Sequence, residues 1–172
     1  MDSDQIARQV TGPGGAAIAA IVQRFGPEFV DDTGALDRGR MRELAYSKPD
    51  ARTALEAIVH PLVSLHSSQQ AQAAEDAGTR VIVFDVPLLV ESGRWVQRLD
   101  AVIVIDCPPA VQIQRVMSRS GLNRSTVEAI LAAQSPRNIR RASADIVVHN
   151  GDNCTLADLH KMAEQVATRL GL

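Results

Sequence analysis

The chain has 172 residues, 45% of them hydrophobic, and a formal charge of −2, which gives enough apolar mass for a sizeable core and argues against disorder. The near-neutral balance excludes the overall basic field used in non-specific binding to nucleic acid or to an anionic membrane. No run approaches the roughly 18 apolar residues of a membrane span. The acidic start at Asp2 and Asp4 is unlike a secretory leader. The two cysteines, Cys107 and Cys154, are too few for a disulfide framework and too isolated for a zinc site. The expectation is a cytoplasmic protein with reduced structural thiols, partnered by neither nucleic acid nor membrane. Its oligomeric state is left open.

There is no internal repeat or long linker, so residues 1–172 read as a single domain. The first 80 residues read as helical. One helix is expected over 3–10 and a second over 16–25, with a break at Gly12, Pro13 and Gly14 between them. A turn follows at 31–34. Asp37 is the expected N-cap of a helix over 38–46, and Asp50 of a long helix over 51–77 ended by Gly78. The His60-Pro61 pair is expected to interrupt that long helix, because proline lacks an N–H and restricts the residue before it.

The middle of the chain changes character. Residues 80–86 (Arg-Val-Ile-Val-Phe-Asp-Val) and 101–106 (Ala-Val-Ile-Val-Ile-Asp) are short branched apolar runs, and each carries a carboxylate, Asp85 or Asp106, at or near its end. With a third run at 145–149 they predict buried parallel strands. Helices are expected over 110–119 and 127–134, the latter introduced by a capping box of Ser125 and Glu128. An amphipathic helix over 155–170 closes the chain.

Alternating strands and helices predict an α/β fold whose parallel sheet carries helices on both faces and binds ligands at the carboxyl ends of its strands. That places 85–91 beside the site. Arg115 and Arg119 lie four apart on one helix face, and Arg137, Arg140 and Arg141 form a second cluster. Either set reads as a solvated basic face or as an anion site. Asp2 and Asp4 suit the N-terminus of a helix whatever else they do. His66, His149 and His160 show no metal-ligand spacing and are expected on surfaces; no metal site is expected.

In order and spacing, Asp2-Ser3-Asp4-Gln5-Ile6-Ala7-Arg8, Phe25-Gly26, Leu36-Asp37-Arg38, His60-Pro61, Asp85-Val86-Pro87-Leu88-Leu89-Val90-Glu91, Ile130-Leu131-Ala132-Ala133-Gln134, Ala144-Asp145 and Asn150 resemble the dephospho-CoA kinases. The resemblance implies a P-loop kinase-like fold with a helical substrate-binding lobe over about 11–78 and a lid over about 115–141. It implies ATP-dependent phosphorylation of the ribose 3'-hydroxyl of dephospho-CoA, the last step of coenzyme A synthesis, with Mg2+ as companion ion. In it Asp4 accepts the hydroxyl proton and Asp2 faces the phosphates. Arg115 contacts the ATP phosphates, Arg119 belongs to the lid, and Arg137 or Arg141 reaches ATP. Arg8, His60, Leu88 and Glu91 would line the dephospho-CoA pocket, although a histidine before proline serves equally as scaffold. Asp85 stands where a strand-ending magnesium acid would, without the family demanding one.

The pattern departs from the family in one respect. Lys48 and Lys161 are the only lysines, and neither follows a glycine, so the 172 residues contain no Gly-Lys-Ser or Gly-Lys-Thr phosphate loop. A strand-loop-helix unit of on the order of 30 residues, including the central strand, is expected to be missing. Without that loop the charge stabilisation of phosphoryl transfer is largely removed, so this chain alone is expected to lose activity. Either the natural start lies upstream or the gene product is truncated. The alternatives to the kinase reading are a non-catalytic fragment binding dephospho-CoA or CoA, and another P-loop kinase such as a nucleoside monophosphate kinase.

Overall fold

The computed structural model describes residues 1–93 and 98–172. It forms two compact units, Met1–Pro87 and Leu88–Leu172.

The first unit is helical, with α1 (Ser3–Val10), α2 (Ile18–Phe25), a 3-10 turn at Pro27–Phe29, α3 (Arg38–Ser47) and α4 (Pro49–Asp76). Its core is a cluster of Ile6, Val10, Ala17, Ile21, Phe29, Leu36 and Met41. Ile6 and Val10, like Ala17 and Ile21, are spaced four apart, so each short helix or its cap turns one apolar stripe inward. The chain doubles back tightly after α1, where the Ala17 N–H donates to the Val10 carbonyl at 2.9 Å. A side chain at Gly15 would collide with that same carbonyl group, so only glycine fits there.

The α4 helix runs through Pro61 without a break over 28 residues, contrary to the expected interruption. Proline removes one hydrogen bond, to the carbonyl of Ala57, but Leu55, Ile58 and Val59 before it and Leu62 and Val63 after it all pack on the core. Burial on both sides of the defect outweighs one lost bond. The helix also begins earlier than expected. Pro49 takes the first turn, where a missing N–H costs nothing, and Asp50 follows it rather than capping. Asp37 does cap α3, accepting from the Arg40 N–H at 2.9 Å.

Residues 80–86 do not form the expected buried strand. Among the described residues their ladder is a single parallel bridge between Asp85 and Asp2, in which the Asp85 N–H donates to the Met1 carbonyl at 2.7 Å and the Ser3 N–H to the Asp85 carbonyl at 3.1 Å. Val83 is 66% exposed. A strand extends only as far as its ladder does, and the bridge to Asp2 is one residue long.

The second unit carries the sheet. β1 (Ile103–Asp106) and β2 (Ile146–His149) pair in parallel, Ile103 opposite Ile146 and Asp106 opposite His149. The crossover between them holds α6 (Pro109–Ser120), α7 (Arg124–Ala132) and α8 (Arg137–Ala142), with α5 (Leu89–Ser92) before and α9 (Leu156–Arg169) after. The strands are shorter than the apolar runs that predicted them and are not buried on both faces: Ile105 is 57% exposed while Asp106 and Val148 are buried. The expected capping box at Ser125 and Glu128 does not form. Asn123 caps α7, accepting from the Thr126 N–H at 2.9 Å. Ser125 Oγ donates to the same oxygen, and Glu128 pairs with Arg124. The capping box belongs instead to α9, between Thr155 and Asp158.

Because Pro61 itself is exposed on a helix held by its neighbours, Pro61→Ala is expected to stabilise the first unit by about 1–3 kcal/mol, restoring a backbone donor. Urea unfolding followed by circular dichroism checks it through a higher midpoint at unchanged slope.

Candidate nucleotide site

Two parallel strands bring their carboxyl ends to one edge, and there β1 ends on Asp106, only 5% exposed. A buried carboxylate without counter-charge is expensive; this one has three partners. Arg137, on the first turn of α8, makes a bidentate pair with it, Nε to Oδ1 and Nη2 to Oδ2, both at 2.7 Å. One turn on, Arg141 Nε lies 4.0 Å from Oδ2. His149 Nδ1, from the paired position of β2, lies 3.6 Å away. The Arg137 hydrogen bonds, reinforced by the charges of Arg137 and Arg141 and by His149, hold the Asp106 carboxyl down to about 2 although burial pushes it up. The same contact raises the Arg137 guanidinium.

A third arginine closes the same edge from α6. Arg115 Nη1 donates to the Asn150 carbonyl at 3.1 Å and to Asn150 Oδ1 at 2.9 Å, Nη2 donates to the Gly151 carbonyl at 2.7 Å, and Cys107 Sγ lies 3.8 Å from Nη1. The Asn150 N–H in turn donates to the Asp106 carbonyl at 2.7 Å. Side chains in a helix lean toward its N-terminus, and the N-terminus of α6 follows β1 directly, so an arginine midway along α6 reaches back to the strand ends.

The other expected site residues fall as follows. Glu91 on α5 accepts from the Ser135 N–H at 2.7 Å, tying α5 to the turn before α8. Leu88 is 43% exposed, and Arg119 is exposed on the last turn of α6. In the first unit, Asp2 is the N-cap of α1, accepting from the Gln5 N–H at 2.9 Å, and Asp4 and Arg8 follow on that helix, both exposed. His60 lies exposed on α4. The structure thus gathers Arg115, Arg137 and Arg141 at one sheet edge, and adds Asp106 and His149. Asp106 was legible only as a strand-ending carboxylate, and His149 was expected on a surface without a role. Among the described residues no group of three or more His, Cys, Asp or Glu side chains is placed to hold a metal ion, and no helix is long and apolar enough to cross a membrane.

Since the Asp106 carboxyl lies below its unfolded value, its stabilisation is complete above about pH 4 and is lost as pH falls toward 2. Asp106→Asn is expected to cost the second unit roughly 2–3 kcal/mol at pH 7. The stabilities of variant and parent should converge by about pH 2. Denaturant titrations at both pH values measure this, and a constant gap would contradict it.

The family model for dephospho-CoA kinase matches residues 1–155. The dephospho-CoA kinase of Albidiferax ferrireducens is 49% identical over 172 residues, covering 100% of this chain and 81% of its own length. That of Bordetella pertussis is 49% identical over 158 residues, covering 92% and 72%. Among solved structures, TT1252 from Thermus thermophilus superposes with a TM-score of 0.74 at 31% identity, covering 99% of this chain and 83% of its own. The dephospho-CoA kinase from Campylobacter jejuni superposes with a TM-score of 0.70 at 23% identity over the same shares, and so speaks for the fold. With matches of this extent and identity, the chain belongs to the dephospho-CoA kinase family.

Proposed function

We propose that the chain serves ATP-dependent transfer of a phosphoryl group to the ribose 3'-hydroxyl of dephospho-CoA, in the cytoplasm. The observation that carries the reading is the arginine cluster at the carboxyl edge of β1 and β2, in a chain of this family. Segment 109–143 contains Arg115, Arg119, Arg124, Arg137, Arg140 and Arg141 against a single acid, Glu128. A cationic helical segment beside strand ends suits a polyphosphate, whose transfer is catalysed chiefly by positioning and charge stabilisation. Arg115, Arg119 and one of Arg137 and Arg141 are the proposed phosphate contacts, within a lid over about 115–141.

Asp4 is the proposed acceptor of the 3'-hydroxyl proton, with Asp2 helping to place the acceptor ribose. Arg8, His60, Leu88 and Glu91 are proposed contacts to dephospho-CoA, with a substrate lobe over about 11–78. All lie within one functional domain of residues 1–172. Magnesium fits as an ion carried in on the nucleotide. It commonly takes only one or two protein carboxylates and fills its shell with phosphate and water, so the lack of a three-ligand cluster among the described residues is compatible with it. When bound it would neutralise phosphate charge.

One observation favours a second reading. Neither lysine of the chain follows a glycine, so a loop of the Gly-Lys-Ser type is not among these residues, and binding of dephospho-CoA without turnover is the alternative.

Mass-spectrometric detection of coenzyme A, after incubating the chain with ATP, magnesium and dephospho-CoA, separates the two. The transfer reading predicts product, and a drop of about 100-fold or more in Asp4→Asn with dephospho-CoA binding retained. Intact binding with no product leaves the binding reading. Absence of both overturns the two together.

A further inference from the structure

We propose that Glu91 is a positioning residue, which through the backbone of Ser135 fixes how the chain enters α8 and so aims Arg137 at the β1–β2 edge. This rests on the reading of that edge as a nucleotide site. Glu91 Oε1 accepts from the Ser135 N–H at 2.7 Å, a short bond of the charge-assisted kind. The two residues before Ser135 still bond back to α7, the Ala133 N–H to the Ala129 carbonyl and the Gln134 N–H to the Leu131 carbonyl, at 3.2 Å each. Ser135 is the first residue past that helix, and among the described residues its N–H is held by Glu91.

From Ser135 the path to Arg137 is short and stiff. Pro136 stands at the N-cap of α8 with φ −54°, and no side chain caps the helix there. Proline fixes its own φ, so a shift at Ser135 is passed on to Arg137. Arg137 engages Asp106 through Nε and Nη2. Of the five N–H donors of a guanidinium, the two on Nη1 are left unengaged among the described residues and are available to an anion. The fork on Asp106 holds α8 by one long side chain, and Glu91 adds a second hold on the backbone itself. Glu91 is in turn presented by a closed single turn. The Ser92 N–H donates to the Leu88 carbonyl at 3.0 Å, Ser92 Oγ to the Leu89 carbonyl at 2.9 Å, and Gly93 ends α5 at φ 61°, a conformation that favours glycine.

Glu91→Ala removes the acceptor, whereas Glu91→Gln keeps an acceptor oxygen without the charge. In the ligand-free alanine variant, amide hydrogen exchange at Ser135 is expected to rise about tenfold and phenylglyoxal to label Arg137 about threefold faster or more. Exchange along the β1–β2 ladder and in α9 should stay unchanged, which sets a local tie apart from general destabilisation. ATP binding measured by calorimetry is expected to weaken about fivefold in the alanine variant, and glutamine to bring all three quantities to within about twofold of the parent.

Unchanged exchange at Ser135 in the alanine variant would overturn the proposal, and so would faster exchange there with Arg137 labelling and ATP affinity unaltered, since the bond would then position nothing. Exchange that rises throughout the second unit would overturn it in favour of a general fold contact, and a glutamine variant as impaired as alanine would replace the hydrogen bond by bare charge. A parent chain that binds no ATP overturns the nucleotide-site reading and with it the use of the tie, and the ligand-free exchange and labelling distinguish that failure from the absence of the tie itself.

Discussion

A carboxylate buried at the carboxyl end of β1 has to be neutralised, and the means of doing so organises the second unit. Asp106 is closed off by the bidentate Arg137 and flanked by Arg141 and His149. Through Arg137 it docks α8, a six-residue helix too short to be stable alone, against the sheet. Removing that single charge would leave two guanidinium groups and an imidazole around an unpaired pocket. The cluster is thus both a structural tie and the reason several positive groups stand together where a parallel sheet presents its ligand edge.

The first unit solves a different problem. Its helices α1 and α2 span eight residues each, too short to persist in isolation, and they are held by α4 through one shared apolar cluster. That dependence also explains why Pro61 fails to break α4. A helix whose buried face continues on both sides of a proline loses more by bending than by forfeiting one hydrogen bond.

Local chemistry was readable from sequence wherever one residue decides it. Asp37 caps α3 as expected, α1 spans the expected residues, and β1 and β2 lie within the branched runs that predicted them. What was not readable depends on partners distant in the chain. Residues 80–86 carry a strand's composition, yet among the described residues their bridge is to Asp2 alone, and composition says nothing of how long a ladder will be. Asn123 won the α7 cap over Ser125 because its side-chain oxygen serves both the Thr126 N–H and the Ser125 hydroxyl. In the candidate site the arginines were legible as a basic segment. Their division of labour was not, because it depends on Asp106 and on the carbonyls of residues 150 and 151, which lie 30 or more residues away along the chain from Arg137 and Arg115 respectively.

The central claim is that the arginines around the β1–β2 edge handle the phosphates of a nucleotide. Labelling of arginines with phenylglyoxal, mapped by peptide mass spectrometry with and without saturating ATP, tests it most directly. The account predicts that ATP protects Arg141 at that edge and Arg119 on the last turn of α6, both exposed, while Arg24 and Arg52 of the first unit's helices label equally in both conditions. Equal labelling of Arg119 and Arg141 with and without ATP would contradict it.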